Sequence, residues 1–389
     1  MRLTKISLAV LLSLSLFSCK KKTIDKTTSN VTTTRNNVTT NNVTTKKNTT
    51  TKSKTTKQNV TTNSVEEKLY RREGNTIYFG SYPQTQEKDE SIIDELNSLA
   101  ETLPTNISNG DWEDYFYYNG GENGINEILP GCFKKSDYSY AKMWYKDIDY
   151  DNDSRYDYRG VYFLRYRADN TNNGGSVREG FQRDNGYYID TFYWFKYEPI
   201  KWNILEEENG KALLISDLII DSQEFHPASM DELNTPPIEK IDYENNYELS
   251  NIRKWLNDDF YNTVFIDLEK KIIETTLVDN SGKMAEQSYD RFVCNNTNDK
   301  LFLLSYREVE AYYQEKEDRQ THGTDYALSQ GLLQVLDGEK KYSRWYSRSP
   351  YYMDRLAVSI VEDTGEMYLK RGLVCETCDG IRPAIWIKL

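Results

Sequence analysis

The middle of the chain reads Tyr187-Tyr-Ile-Asp-Thr-Phe-Tyr-Trp-Phe-Lys-Tyr-Glu-Pro-Ile-Lys-Trp202. It is dense in aromatic side chains, which strands favour because bulky rings pack well on a pleated, half-buried surface. Another strand pattern, 211–216, follows shortly after it. The stretch therefore predicts that β-structure forms the centre of the fold.

Helical patterns lie on the C-terminal side of this stretch and, once, on its N-terminal side. The clearest helix is predicted at 249–261, where Ser250 can act as the N-cap and apolar residues recur at steps of three and four. Further helices are predicted at 91–100 with Ser91 as the cap, at 265–275, and after the capping box Ser305-Tyr-Arg-Glu308.

The remaining strand patterns do not alternate regularly with helices. They fall at 76–79 (followed by a turn-like 80–83), 142–150, 158–166, 301–304, 356–361, 366–369 and 381–389. Strands and helices in mixed order favour an α+β fold with mainly antiparallel sheets rather than a parallel α/β sheet.

The first residues predict a lipoprotein signal peptide over 1–18. Arg2 and Lys5 precede an apolar run, 7–17, that is shorter than the ~20 residues needed to span a bilayer. The run ends in Leu16-Phe17-Ser18-Cys19, which resembles the lipobox cut by lipoprotein signal peptidase. That resemblance implies acylation of Cys19 with fatty acids such as palmitate. The alternative is an ordinary secretory signal with an incidental cysteine.

Residues 19–64 are predicted to be a disordered tether. From position 20 onward, 17 of 45 residues are Thr and 8 are Asn, and Asn-Val-Thr-Thr recurs four times. So polar a segment cannot bury enough apolar surface to offset its chain entropy. As a coil it would span ~35–40 Å on average. Residues 65–389 then form the globular part.

Charge separates these parts. The whole chain carries −12 and residues 1–64 carry +11, so residues 65–389 carry −23. A basic tether is attracted to anionic lipid. An acidic domain argues against nucleic acid as a partner, because phosphate binding needs a basic face. We expect a protein of the cell envelope that faces the periplasm or the exterior.

Four cysteines remain after Cys19: Cys132, Cys294, Cys375 and Cys378. An even number in an exported protein suits disulfides, with three pairings open, or unpaired thiols. A redox or metal site at Cys375-Glu-Thr-Cys378 is the alternative. A strand-like segment follows this pair, and a zinc site would need a second close pair.

An acidic run supplies the candidate metal ligands. Alternating acids Asp149, Asp151 and Asp153, followed by Asp157, could present oxygens to calcium. Ser154 and Gly160 replace the Gly and Glu of an EF-hand loop. The alternative is a hairpin tip held by turn chemistry. The sequence predicts no cofactor, with calcium at this run as the alternative.

Two arginines near aromatic residues are candidate ligand contacts: Arg348 with Trp345, and Arg382 with Trp386. They could hold an acid or a sugar, or form buried charge pairs that fix loops. Neither His226 nor His322 lies in a catalytic spacing.

Seven motifs recur in order, and together they carry a family resemblance. They are Phe79-Gly-Ser-Tyr-Pro-Gln84, Glu198-Pro-Ile-Lys-Trp202, Ile252-Arg-Lys-Trp-Leu-Asn257, Asp259-Phe-Tyr-Asn262, Leu303-Leu-Ser305, Arg348-Ser-Pro350 and Gly380-Ile-Arg-Pro-Ala-Ile-Trp386. This set resembles an uncharacterised domain family of bacterial envelope and secreted proteins over nearly all of 70–389, with 86–194 as an insertion. The closing motif also resembles C-type-lectin-like and sulfatase-modifying-factor-like folds, which implies such a fold here.

These observations favour a lipid-anchored envelope protein with a non-enzymatic domain that binds a protein or glycan. An enzyme acting on an envelope polymer or glycan, with Asp and Glu as acid and base, is the second hypothesis. A structural or assembly role is the third.

Overall fold

A nine-stranded antiparallel sheet is organised around one long strand, β8. The computed structural model describes residues 69–105, 108–116, 142–164, 166–169, 178–179, 181–226, 243–287 and 290–389. The strands of this central sheet are β1 (Arg71–Glu73), β2 (Thr76–Gln86), β3 (Glu113–Phe116), β4 (Lys142–Ile148), β5 (Tyr158–Phe163), β8 (Phe192–Glu208), β9 (Lys211–Ser216), β13 (Leu301–Phe302) and β20 (Ala384–Lys388). Their order is β13-β20-β9-β8-β5-β4-β3, and β2 pairs with both β8 and β1.

The aromatic stretch accounts for the length of β8. In its second half Ile200, Trp202 and Ile204 are buried at every second position, as expected of a strand with one face on the core. The indole of Trp202 donates to the carbonyl of Phe79 at 2.8 Å, which ties β8 to β2. The strands predicted at 76–79, 142–150, 158–166 and 211–216 all lie in this sheet. The turn predicted at 80–83 is wrong, because β2 continues through it with a register shift.

A second sheet has five strands. In spatial order they are β10 (Asp221–Ser222), β19 (Gly380–Ile381), β16 (Trp345–Pro350), β17 (Ala357–Val361) and β18 (Met367–Leu373). Only the β16–β19 pairing is parallel. Three two-stranded sheets complete the described β-structure: β6 (Ala168–Asp169) with β7 (Arg178–Glu179), β11 (Thr276–Val278) with β12 (Thr297–Asp299), and β14 (Val335–Asp337) with β15 (Lys340–Tyr342). The α+β class with mainly antiparallel sheets is confirmed.

The helices are short. They are α1 (Glu90–Leu99), α2 (Phe181–Asp184), α3 (Asn251–Trp255), a π-turn (Leu256–Phe260), α4 (Tyr261–Val264), α5 (Tyr306–Tyr312) and α6 (Asp325–Ser329), with 3-10 turns at Glu269–Lys271, Gly282–Met284 and Lys316–Arg319. The predicted cap at Ser250 and the capping box at Ser305 and Glu308 are confirmed. Among the described residues, no helix is long and apolar enough to cross a membrane.

Two helix predictions are wrong in detail. The side chain of Asp89, not Ser91, caps α1 by accepting from the backbone N–H of Ser91. The helix predicted at 265–275 is a loop with one 3-10 turn. Phe265 leaves the helix with an extended backbone, and its ring packs against Phe79 at 4.9 Å. Packing on β2 therefore overrides the apolar spacing.

Two hydrophobic clusters fill the interior. The larger joins both sheets and the helices α3 and α4. The smaller packs α1 against β3, β4, β5 and the start of β8, with members Leu96, Ala100, Trp112, Trp144, Ile148, Tyr162 and Trp194. Strands from the region predicted to be an insertion thus share a sheet and a core with β8. The predictions for residues 1–64, including Cys19, and for Cys132 lie outside the described residues.

Candidate functional site

A surface groove lies where the β4–β5 tip, the start of β2 and the loop after α4 meet. It consists of two adjoining depressions of about 630 and 510 Å³. We call it the tip groove and define it by the residues that line both depressions: Ser81, Arg155, Tyr156, Tyr197, Ile266, Leu268 and Glu269. Each depression has the volume of a small-ligand site.

The floor of the groove depends on Gly80. Its φ is +66°, a conformation that residues with a Cβ rarely adopt. A Cβ there would lie 2.5 Å from Cγ1 of Val264 and 2.6 Å from Cε1 of Phe265. Only glycine lets β2 approach the end of α4 so closely. The glycine of the Phe79–Gln84 motif therefore shapes the groove.

Glu269 places a carboxyl group at this floor. It is 7% exposed, and its Oε2 accepts from the backbone N–H of Ile266 at 3.0 Å. Burial raises the pKa of Glu269, although backbone hydrogen bonds from Ile266 and Gly80 and attraction by Arg155 oppose the shift. A carboxyl group with a raised pKa can hold and release a proton nearer neutral pH than an exposed one.

The wall of the groove is the rigid tip between β4 and β5. Asp149 accepts from the backbone N–H groups of Asp153 (3.1 Å) and Ser154 (2.9 Å). Asp157 accepts from those of Tyr150 (2.7 Å) and Asp151 (3.2 Å). These bonds fix the turn and hold the chain that follows it against the groove.

Two tyrosines and one arginine line the groove. Tyr156 is 53% exposed, and its ring centroid lies 5.9 Å from that of Tyr197 on β8. Burial raises the pKa of the Tyr197 hydroxyl well above its usual value, so this group stays protonated. Arg155 is exposed and forms no ion pair with any described residue.

Charges along the groove are balanced. Four cationic and four anionic side chains line it: Arg71, Arg72, Arg155, Lys270, Asp153, Asp157, Asp267 and Glu269. Ring faces, hydrogen-bond donors and acceptors therefore stand side by side. Such a surface can hold a polar ligand that also has flat apolar faces.

Three of the four predicted calcium ligands come together. Oxygens of Asp149, Asp151 and Asp153 lie within 4.8 Å of one another, and Asp153 and Asp157 line the groove. Asp157 belongs to a different set of contacts, because its Oδ2 accepts the two N–H groups named above. Calcium binding stays an alternative to the hairpin tip held by turn chemistry.

The predicted arginine–tryptophan group lies elsewhere: Trp345 and Arg348 are on β16, Arg382 is between β19 and β20, and Trp386 is on β20. Trp345, Arg348 and Arg382 are 0, 2 and 3% exposed, and Trp386 is half-buried. Arg348 pairs with Glu308, while Nε of Arg382 donates to the carbonyl of Ser216 at 2.7 Å. Arg382 also lies 5.1 Å from the ring of Trp345. These contacts favour the loop-fixing interpretation over a ligand contact.

The described cysteines are thiols in the core or near it. Cys375 and Cys378 are buried, and Cys294 is half-buried. Sγ of Cys378 accepts from Nη2 of Arg344 at 3.2 Å, and the same guanidinium pairs with Asp379 at 2.7 Å. Glu376, Cys378 and Asp379 offer atoms at metal-ligand separations. The guanidinium of Arg344 already supplies a positive charge at this cluster.

A buried acidic cluster had no signal in the sequence. Asp221 is fully buried and accepts from the hydroxyl of Tyr82 at 2.7 Å. Burial raises the pKa of Asp221 to about 6 and that of nearby Glu224 to about 7, with Arg167 opposing both shifts. Arg167 itself donates to the carbonyls of Ser222 and Gln330. The cluster joins β2 to the second sheet.

Sequence reasoning also missed Tyr156, Tyr197 and Glu269. The richness in tyrosine pointed to recognition, but no spacing singled out these three. Tyr156 lies at the hairpin tip, Tyr197 on β8 and Glu269 after α4, and only the fold brings them together.

Comparison with known proteins finds one family. Residues 209–389, a little less than half of the chain, match the family described as a domain of unknown function, DUF6273. No curated protein and no solved structure matches the chain significantly. The C-type-lectin-like fold therefore stays a prediction. The match begins between β8 and β9, and Ile266, Leu268 and Glu269 of the groove fall inside it, whereas Arg155 and Tyr156 do not.

Proposed function

We propose that this chain is a lipid-anchored protein of the bacterial envelope, attached through Cys19, whose domain binds a ligand non-enzymatically in the tip groove. The observation that carries the proposal is the exposed ring of Tyr156 beside Tyr197. The lipobox resemblance and the Thr- and Asn-rich tether support the proposed attachment through Cys19. The ligand would be a protein or a glycan that lies outside the membrane to which the chain is anchored.

The tyrosine pair is suited to recognition for a physical reason. A tyrosine offers a large contact area with only two rotatable bonds, so ordering it on binding costs little entropy. Tyr156 follows a turn that is already held by hydrogen bonds from the backbone N–H groups of Asp153 and Ser154 to the Asp149 carboxylate. Its exposed ring is therefore positioned before a ligand arrives, which lowers the cost of binding.

Glu269 supports a second candidate, an enzyme acting on an envelope polymer. Its carboxyl group lines the groove, and burial raises its pKa, as general acid catalysis requires. In that case Glu269→Gln would abolish turnover. The non-enzymatic proposal expects no turnover in the wild type.

The experiment applies the full chain in detergent to arrays of glycans and of peptides. We expect a ligand whose signal falls at least about fivefold in Tyr156→Ala, since truncating an interface anchor typically costs more than 1 kcal/mol. Tyr188→Ala is the matched control, because Tyr188 is 52% exposed and does not line the groove. Absence of any ligand, or an equal loss in both variants, would contradict the proposal, and hydrolysis of a ligand would favour the enzyme.

A further inference from the structure

We infer that the tip groove binds an uncharged polysaccharide chain. The inference rests on the proposed function, because it names the ligand class of the same groove. It follows from three properties of the described residues: the balance of charge along the groove, the exposed rings, and the neighbouring donors and acceptors.

The charge balance argues against a charged polymer. The groove lining carries four charges of each sign, and most of them already have partners. Arg71 pairs with Glu73 and Arg72 with Glu207, while Asp153 accepts from the backbone N–H of Arg155 at 2.8 Å. Residues 65–389 carry −23, which repels an anionic chain at long range. A cationic chain would gain nothing from this groove over the rest of the acidic surface.

The rings provide the apolar part of the contact. Tyr156 is 53% and Leu268 46% exposed, and both border the half-buried Tyr197. A sugar ring has an apolar face of C–H groups, which can lie flat on a tyrosine ring and remove apolar area from water. Two adjoining depressions leave room for more than one ring of a chain.

The polar groups suit sugar hydroxyls. A hydroxyl both donates and accepts, so it needs donors and acceptors close together. Arg155 contributes five N–H donors that no described carboxylate pairs with, and Glu269 contributes carboxylate oxygens. A peptide that binds by strand addition would instead extend a sheet edge. The strand edge at this groove, β1, has only three residues, too few for a stable added strand.

The test measures binding of the full chain in detergent to soluble polymers that share a backbone but differ in charge. Dextran, dextran sulfate and diethylaminoethyl-dextran form one set, hydroxyethylcellulose and carboxymethylcellulose another, with laminarin and mannan as further neutral chains. We expect saturable binding of at least one neutral polymer in affinity electrophoresis. Where the neutral polymer that binds has a charged derivative in its set, we expect that derivative to bind more weakly.

Variants locate the binding. Tyr156→Ala and Arg155→Gln should each weaken the neutral polymer about fivefold or more, whereas Tyr188→Ala should not. Thermal melting confirms that each variant is folded, and Arg155→Gln leaves only two of the five N–H donors, which is why it should weaken the neutral polymer. Failure of every neutral polymer, or stronger binding of a charged derivative, would overturn the inference. A peptide that binds through Tyr156 would overturn it too, but would leave the proposed binding function standing.

Discussion

Arg348, which is buried, and Glu308, which is half-buried, form a two-point ion pair. Nη1 of Arg348 lies 2.5 Å from Oε2 of Glu308, and Nη2 lies 3.0 Å from Oε1. The same Oε2 accepts from the backbone N–H of Ser305 at 2.8 Å, which completes the capping box of α5. Burial disfavours the charged carboxylate, but attraction and hydrogen bonding by Arg348 hold the pKa of Glu308 below its usual range. One carboxylate thus joins helix α5 to strand β16.

The first prediction concerns this pair. Arg348→Met should destabilise the fold by about 2–3 kcal/mol, because it leaves the half-buried Glu308 carboxylate without its charged hydrogen-bond partner. Urea unfolding of the full chain measures the loss. Arg307→Met is the control, since Arg307 pairs with Glu310 on the exposed face of the same helix. That variant should cost under about 1 kcal/mol. A small effect of Arg348→Met, combined with loss of ligand binding, would favour the ligand-contact interpretation instead.

The second prediction concerns pH and Asp221. Its pKa is raised to about 6 by burial, whereas an unfolded aspartate titrates near pH 3.9. The neutral carboxyl group therefore favours the folded state fully below about pH 4, and this contribution is lost as the pH rises through about 6. The difference between a pKa of about 6 in the folded state and about 3.9 in the unfolded state corresponds to about 3 kcal/mol in the free energy of unfolding.

Comparison with Asp221→Asn isolates that contribution. The stability of the variant relative to the wild type should rise by about 3 kcal/mol between pH 4 and pH 8, because asparagine never ionises. Urea unfolding at several pH values gives the difference, and Asp337→Asn at an exposed position serves as the control. If the difference in stability between Asp221→Asn and the wild type did not change with pH, burial would not be raising the pKa of Asp221.

The third prediction concerns the tip between β4 and β5. Its aspartates already accept backbone N–H groups, so we expect the turn to hold without a cation. Asp149→Ala should cost about 1 kcal/mol, and exposed Asp267→Ala should cost almost nothing. Millimolar calcium should not change the melting temperature. A rise on adding calcium that Asp151→Asn removes would instead establish the calcium site.

The fourth prediction concerns the anchor. Cells given a clickable fatty acid should label the wild-type chain but not Cys19→Ala, because the lipobox resemblance places the acyl groups on that sulfur. Cys294→Ala should label like the wild type. Equal labelling of wild type and Cys19→Ala would refute the lipoprotein interpretation. Several acyl chains on one cysteine are enough for stable attachment, since each buried methylene contributes ~0.8 kcal/mol.

Local chemistry explains which parts of the fold could be predicted from sequence. Caps at Ser250 and Ser305 involve residues three positions apart, so the local sequence contains the whole interaction. The strands β8 and β9 can each be predicted from the composition of their own stretch, 187–202 and 211–216. The helix expected after Phe265 failed because its outcome depends on Phe79, almost two hundred residues away in the chain.

The candidate site could not be predicted for the same reason. Asp153 and Asp157 are recognisable from the sequence as candidate ligands and both line the groove, but no local pattern predicts which residues face them. Burial raises the pKa of Glu269, and a backbone hydrogen bond from Gly80 on β2 to this carboxyl group, which lies in the loop after α4, opposes the shift. The arginines Arg348 and Arg382 had the right neighbours for a ligand site, yet both turned out to be buried.

The hairpin formed by β8 and β9 has a consequence for how such chains can be recombined. The family match starts at residue 209, inside the turn of that hairpin. A gene fusion that transferred only 209–389 would carry β9 without β8, and Leu213, Leu214 and Ile215 would stand at an open sheet edge that invites aggregation. The smallest transplantable unit therefore includes β8, and it is larger than the segment that sequence comparison recognises.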